Sequence, residues 1–433
     1  MTHYDTETLF AFLEGMTPID AGIELHVASC EACAEELRGQ RAMLARLREP
    51  RMWAAAPVRV SEAARDAAAF AERAAAEEEE ASRLCAEVLT GPAAWWPQRL
   101  RNTDGAATAG MVRQLLLRMR SLVERSPKDA LQVTGMAHAL AEELEPDAYP
   151  PHSVESLRAQ ALRDHAYVLA FLSRYAEAQE YADHAERLFA LVPASDCERA
   201  RLALVRAAIL RGTRRPLEAV RYARDAAETF LAFGERSRYA IARMVEGDAL
   251  YNSGAVDRAL ETWSALVDDP WVDRLGAVRL AHNVALCHVD LGMPERAIEV
   301  LHDCIAEFES RGMRTEGARS RGVLGRAMIA AGRPADAVPL LRQTMREFTE
   351  LALVTDFGLA ALELAEALLA LDRVEEVPAV CREVIARFTA AGLATHATTA
   401  LSYLREAEVA VGERAVRLLR VARVSIHALA AAR

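Results

Sequence analysis

The stretch Ala285-Leu286-Cys287-His288-Val289-Asp290-Leu291-Gly292-Met293-Pro294-Glu295-Arg296-Ala297-Ile298-Glu299-Val300-Leu301-His302-Asp303-Cys304 decides the fold. It reads as a small residue on one helix, a short turn from Gly292 to Glu295, and three residues at i, i+4 and i+7 on a second helix: Ala297, Leu301 and Cys304. Side chains at that spacing share one face of a helix. The same frame recurs along the chain. Ala178, Ala182 and Ala185 set it, followed by Ala219, Ala223 and Ala226, and by Ala259, Trp263 and Leu266. After Ala297 come Ala337, Leu341 and Thr344, then Val377, Cys381 and Val384. The steps are 41, 40, 38, 40 and 40 residues. Twelve residues before each anchor stands a small residue: Ala166, Ala207, Gly247, Ala285, Gly325 or Ala365. A small side chain there lets the two helices of a pair approach closely.

This pattern resembles the tetratricopeptide repeat, whose known unit is 34 residues. Here the unit is about 40, so each helix is longer by roughly a turn. The resemblance implies an all-α, right-handed solenoid of helix pairs over 107–433, with degenerate end units near 107–144 and 396–430. In this family first-helix residues line a concave groove. On the present frame they include Arg163, Tyr167, Asp248, Tyr251, Arg279, His282, Asn283, Arg319 and Arg326. Such a set would suit an acidic or extended peptide. Each of these side chains read alone is more readily an ordinary solvated group than a ligand contact.

The N-terminus carries different chemistry. Residues 26–33 read His26-Val27-Ala28-Ser29-Cys30-Glu31-Ala32-Cys33, an H-x3-C-x2-C run. Imidazole and thiolate are the donors tetrahedral zinc prefers. On a helix His26 and Cys30 share a face. A closed site needs a fourth donor, and His3 is the best candidate. The segment from His3-Tyr4-Asp5 through Leu13-Glu14-Gly15 and on to Cys33-Ala34-Glu35-Glu36-Leu37 resembles the zinc-binding anti-sigma domain of bacteria. Phe12 stands where tyrosine is usual, and Val27 where leucine is usual. The resemblance implies a structural Zn2+ held by His3, His26, Cys30 and Cys33, and a protein partner of the sigma-factor class. Family members that sense oxidants use a cysteine at the first ligand position, where this chain has His3. About 50 residues make a small core, so a metal staple is physically reasonable.

Composition narrows the function further. The chain has 433 residues and a net charge of −11, which argues against a general nucleic-acid or anionic-membrane binder. Its first 36 residues hold eight Asp or Glu and no Lys or Arg. Such a surface repels phosphate and suits a basic protein. No run of 18 apolar residues occurs, and there is no basic, then apolar, leader, so a cytoplasmic protein is expected. The isolated cysteines Cys85, Cys197, Cys287, Cys304 and Cys381 read as reduced, buried apolar residues. Phosphate-loop, dinucleotide and nucleophile-elbow motifs are missing, so no enzyme is expected.

The expected organisation is a zinc-stapled head at 1–50, a linker and connecting helix over 51–106, and the array over 107–433. Within the connector, Glu77 to Glu80 read as a solvated acidic face, and Trp95-Trp96 as a packing anchor between domains or a partner contact. Two functions follow. One is a regulator that inhibits an alternative sigma factor through the head and holds a second protein or peptide in the array. The other is a repeat scaffold that assembles a signalling or defence complex, the zinc module being purely structural. A peptide-responsive regulator is a third reading.

Overall fold

The computed structural model describes residues 8–9, 13, 21–48, 62–213 and 215–391. His3, the linker 51–60 and the end unit 396–430 lie outside the described residues. Among the described residues every regular element is helical. The chain divides into two compact units, Met1–Ala74 and Ala75–Arg433.

In the first unit, α1 (Ala21–Ser29) and α2 (Glu31–Arg48) meet at Cys30. The Cys30 amide donates to the His26 carbonyl at 2.8 Å, and the Ala34 amide to the Cys30 carbonyl at 3.0 Å. Helical i to i−4 bonding thus runs through the joint and keeps His26 and Cys30 on one face. Leu9, Ile23, Cys30, Cys33 and Leu37 form the small core, with Leu13 and Val27 against it.

α3 (Glu62–Val88) is a single helix whose second half belongs to the array unit. Ala81, Leu84, Cys85 and Val88 pack with Trp96 of α4 (Trp96–Arg101) and with Met111, Val112 and Leu115 of α5 (Ala109–Leu122). Trp96 is therefore a packing anchor, whereas Trp95 stays 56% exposed beside Arg99. The acidic run is not all solvated. Glu77 accepts the Gly110 amide at 2.6 Å and the Tyr149 hydroxyl at 3.1 Å. Glu78 accepts from Arg113 at 2.8 Å and Gln114 at 2.7 Å. A carboxylate at the start of α5 satisfies an amide that has no partner within the helix and opposes the helix dipole.

Beyond α5 and α6 (Pro127–Glu143) come six helix pairs. Their first helices are α7 (Ser153–Phe171), α9 (Asp196–Gly212), α11 (Arg236–Asn252), α13 (Arg274–Asp290), α15 (Arg314–Ala330) and α17 (Val354–Ala370). Their second helices are α8 (Tyr175–Phe189), α10 (Pro216–Ala232), α12 (Val256–Ser264), α14 (Pro294–Ser310), α16 (Pro334–Leu351) and α18 (Val377–Ala390). All eighteen anchor residues of the repeat frame are buried. The small partners explain the close approach. A Cβ on Gly325 would meet Leu341 at 2.6 Å, and one on Gly247 would overlap the Trp263 indole. Where the second helix carries Leu341 or Trp263 the first carries glycine, and where it carries Ala182 or Ala223 the first carries Ala166 or Ala207. Glycine thus makes room for Trp263 and Leu341, although Leu301 is accommodated opposite Ala285. Phe189, Phe230, Phe308, Phe348 and Phe388 close the second helices from inside, each buried. Each is worth roughly 1.5–3 kcal/mol of apolar transfer. The third pair departs from this pattern: α12 spans only 9 residues, and Trp263 supplies the bulk.

Each second helix packs between its own first helix and the next, and successive first helices pack on one another. The first helices therefore form the inner surface of the stack. No described helix is long and apolar enough to cross a membrane.

Candidate metal cluster and inner polar ladder

The His26, Cys30 and Cys33 donor atoms all lie within 4.8 Å of one another, with both cysteines buried and His26 half-buried. Two ligand atoms each ~2.3 Å from a tetrahedral zinc stand roughly 3.8 Å apart. The donor set and its spread thus fit one zinc ion, with a fourth position to fill. This is the one such convergence of three or more His, Cys, Asp or Glu among the described residues.

The nine residues named above all lie on the first helices, and each arginine among them is bonded to a carboxylate, Arg163 in a network of its own with Asp164 and Glu198. Arg163, buried in α7, binds Asp164 at 2.7 Å and Glu198 of α9. Arg279 binds Glu316 at 3.2 Å, Arg319 binds Asp356 at 2.8 Å, and Arg326 binds Asp290 and, at 3.3 Å, the Tyr251 hydroxyl. Asp248 accepts from Arg211 at 2.7 Å and from Asn283 at 3.2 Å. Tyr251 donates to Asp290 at 2.5 Å, and His282 shares a hydrogen bond of 2.9 Å with Ser320. Tyr167 lies on α7 in the field of Glu124, Arg279, Glu316 and Arg319.

Arg211–Asp248, Arg279–Glu316 and Arg319–Asp356 are each 37 residues apart. That is one repeat less one helical turn, so the same Arg-to-carboxylate step links successive first helices. Arg211, Asp290, Glu316 and Asp356 escape a residue-by-residue reading. The recurrent 37-residue Arg-to-acid spacing would have found three of these pairs once the 40-residue period was known.

The ladder sits deep enough to shift its titratable groups. Burial pushes Tyr167 and Tyr251 up to about 12 and drives His282 down toward its neutral form. Burial raises Asp248 as well, and Arg211 opposes the shift. Removing a charge partner from such a surroundings is costly, because it leaves the other charge buried and uncompensated. The inner face is therefore a set of closed ion pairs rather than a row of free cations.

No family model matches the sequence, and no curated protein resembles it. Solved structures with a similar helical run include a Rap protein complexed with competence and sporulation factor. It is 13% identical, with 77% of this chain and 97% of that chain covered and a TM-score of 0.48. Aspartyl phosphate phosphatase F from Bacillus subtilis is 12% identical, covering 70% of this chain and 80% of its own, with a TM-score of 0.41. The apo form of the quorum sensor NprR from B. thuringiensis is 10% identical, covering 78% and 99%, with a TM-score of 0.42.

Proposed function

We propose that this chain is a non-enzymatic regulatory adaptor of the cytoplasm, whose helix-pair array holds a protein or peptide partner and whose head is a zinc-stapled module. The observation that carries the array half is the row of Arg-to-carboxylate pairs, Arg211–Asp248, Arg279–Glu316, Arg319–Asp356 and Arg326–Asp290, that links successive first helices. A partner on that row exchanges charges with pairs already made. An extended segment of mixed charge suits it better than a purely acidic one, because both members of each opened pair must be satisfied. The test is pull-down with full-length protein and with Arg319→Ala/Asp356→Ala, followed by binding of the captured segment. A partner that binds both forms equally removes the inner face from the reading.

In the head, zinc would be held by His26, Cys30 and Cys33, with His3 as fourth donor. The ion would supply structure and no catalysis: thiolates and imidazole fix α1 against α2. The donor atoms within 4.8 Å support this. A second reading keeps the head as the inhibitor of an alternative sigma factor. It is favoured by the exposed Glu31, Glu35 and Glu36 on the first turns of α2, which suit a basic helix. Coexpression of the full chain with each alternative sigma factor of the same genome decides it. Failure to form any complex leaves the adaptor reading alone.

A further inference from the structure

The turns of the first units reach across to helices far along the chain. The turn 123–126, between α5 and α6, docks on the turn between α14 and α15. The Thr315 amide, in the first turn of α15, donates to the Glu124 carbonyl at 3.0 Å. Arg125 donates to the carbonyl of Arg311, the residue that caps α14, at 3.2 Å across 186 residues. Helix starts carry amides, and helix ends carbonyls, with no partner inside the helix. Here one of each is satisfied by the same distant turn. The Glu124 side chain, buried, also accepts from Arg279 at 3.3 Å.

The turn that ends α7 makes a second reach. The Thr355 hydroxyl of α17 bonds the Ser173 hydroxyl at 3.0 Å, 182 residues away. Arg319 lies 4.8 Å over the Phe171 ring. Phe171 and Leu172 pack against two apolar clusters at once, one built on α3 to α7 and the other on α13 to α18. Ser173 holds the left-handed backbone, φ 61, that Gly254, Gly292, Gly332 and Asp372 hold at the same place in their turns, and here its hydroxyl side chain reaches the distant helix.

We propose that these two turns are an autoinhibitory clasp: the array closes on itself, its own residues 123–126 and 171–173 occupy the inner edge of α13, α15 and α17, and a partner is admitted only when the clasp opens. The proposal rests on the array being the partner-binding surface. Its structural half is tested without any partner. In the full chain Ser173→Cys/Thr355→Cys replaces two hydroxyls in hydrogen-bond contact by two thiols. Mild oxidation, in which copper phenanthroline and oxygen accept the two electrons and two protons as the S–S bond forms, should crosslink it in native buffer. The readout is the shifted non-reduced band, against Ser173→Cys and Thr355→Cys as single-change controls for the native cysteines. Crosslinking no faster than in the controls overturns the clasp.

Glu124→Arg supplies the converse measurement, since it places a third cation against Arg279 and Arg319. With helicity retained by circular dichroism, the radius of gyration from small-angle scattering should rise and the Thr315 amide should exchange at least tenfold faster. Unchanged scattering and exchange overturn the closure. Partner capture is then compared between the oxidised double-cysteine form and its reduced form. Capture lost on oxidation supports inhibition. Equal capture by both overturns the inhibitory role while leaving the closure standing, and capture by neither counts against the array as the partner surface.

Discussion

The head and the array hold their polar side chains in opposite ways. In the head, an imidazole and two thiols lie within 4.8 Å of one another, a spread that one zinc ion would bridge under the proposed reading. In the array, arginines and carboxylates stand one repeat apart and complete each other. On the proposed reading the first design would make folding of the head depend on an added ion, whereas the second pairs its own charges within the array. The difference follows from reach. Three ligands at i, i+4 and i+7 meet because that spacing places them on one helical face, whereas charges 37 residues apart meet because a helix pair brings successive first helices side by side.

Breaking the head should have the largest effect. Chelation, or Cys30→Ala/Cys33→Ala, removes a contribution on the order of 10 kcal/mol. The expected result is loss of the head's cooperative transition in calorimetry, with the array's helical signal by circular dichroism little changed. Breaking the ladder comes next. Asp290→Ala removes the carboxylate bonded to the buried Arg326, leaving the Tyr251 hydroxyl and the more distant charge of Glu363, and should cost the array about 3 kcal/mol in urea unfolding. Gly247→Ala thrusts a methyl into Trp263 and should cost roughly 1–3 kcal/mol in the same assay.

A pH series sharpens the comparison. Burial, and then repulsion from Glu316, push the Glu124 carboxyl up to about 8. Tyr167, Arg279, Arg319 and Asp356 also act on it, and the two arginines oppose the rise. A carboxyl raised in the folded state contributes fully below its ordinary value, and its contribution is lost as pH climbs through about 8. Array stability should fall by about 1 kcal/mol between pH 7 and pH 8, and Glu124→Gln should flatten that slope. The smallest effect expected is a gain. Gly39 lies in α2 with open space around its would-be Cβ, so Gly39→Ala should stabilise the head by roughly 0.5–1 kcal/mol.

How far each region can be read from sequence also differs. The small residues at Ala166, Gly247 and Gly325, the anchors, and the turns at Gly292 and Gly332 are local signals and mark the helix pairs directly. The joint at Cys30 and the end of α2 near Glu49-Pro50 are equally local. The ladder partners are not, because Arg319 carries no mark that distinguishes a free guanidinium from one bonded to Asp356. The 37-residue step becomes visible only after the period is fixed. Glu77 and Glu78 read as solvent-facing charges because nothing near them in sequence reveals that α5 begins beside them. The clasp is the least legible feature of all, since its contacts span 155 to 186 residues and depend on the accumulated curvature of the stack.

X-ray absorption at the zinc edge, on full-length protein purified without added chelator, tests the head directly. The account predicts one zinc per chain with two sulfurs at about 2.3 Å and nitrogens completing the shell, and loss of one nitrogen in His3→Ala. A chain purified free of zinc, or a shell of oxygens alone, would contradict it.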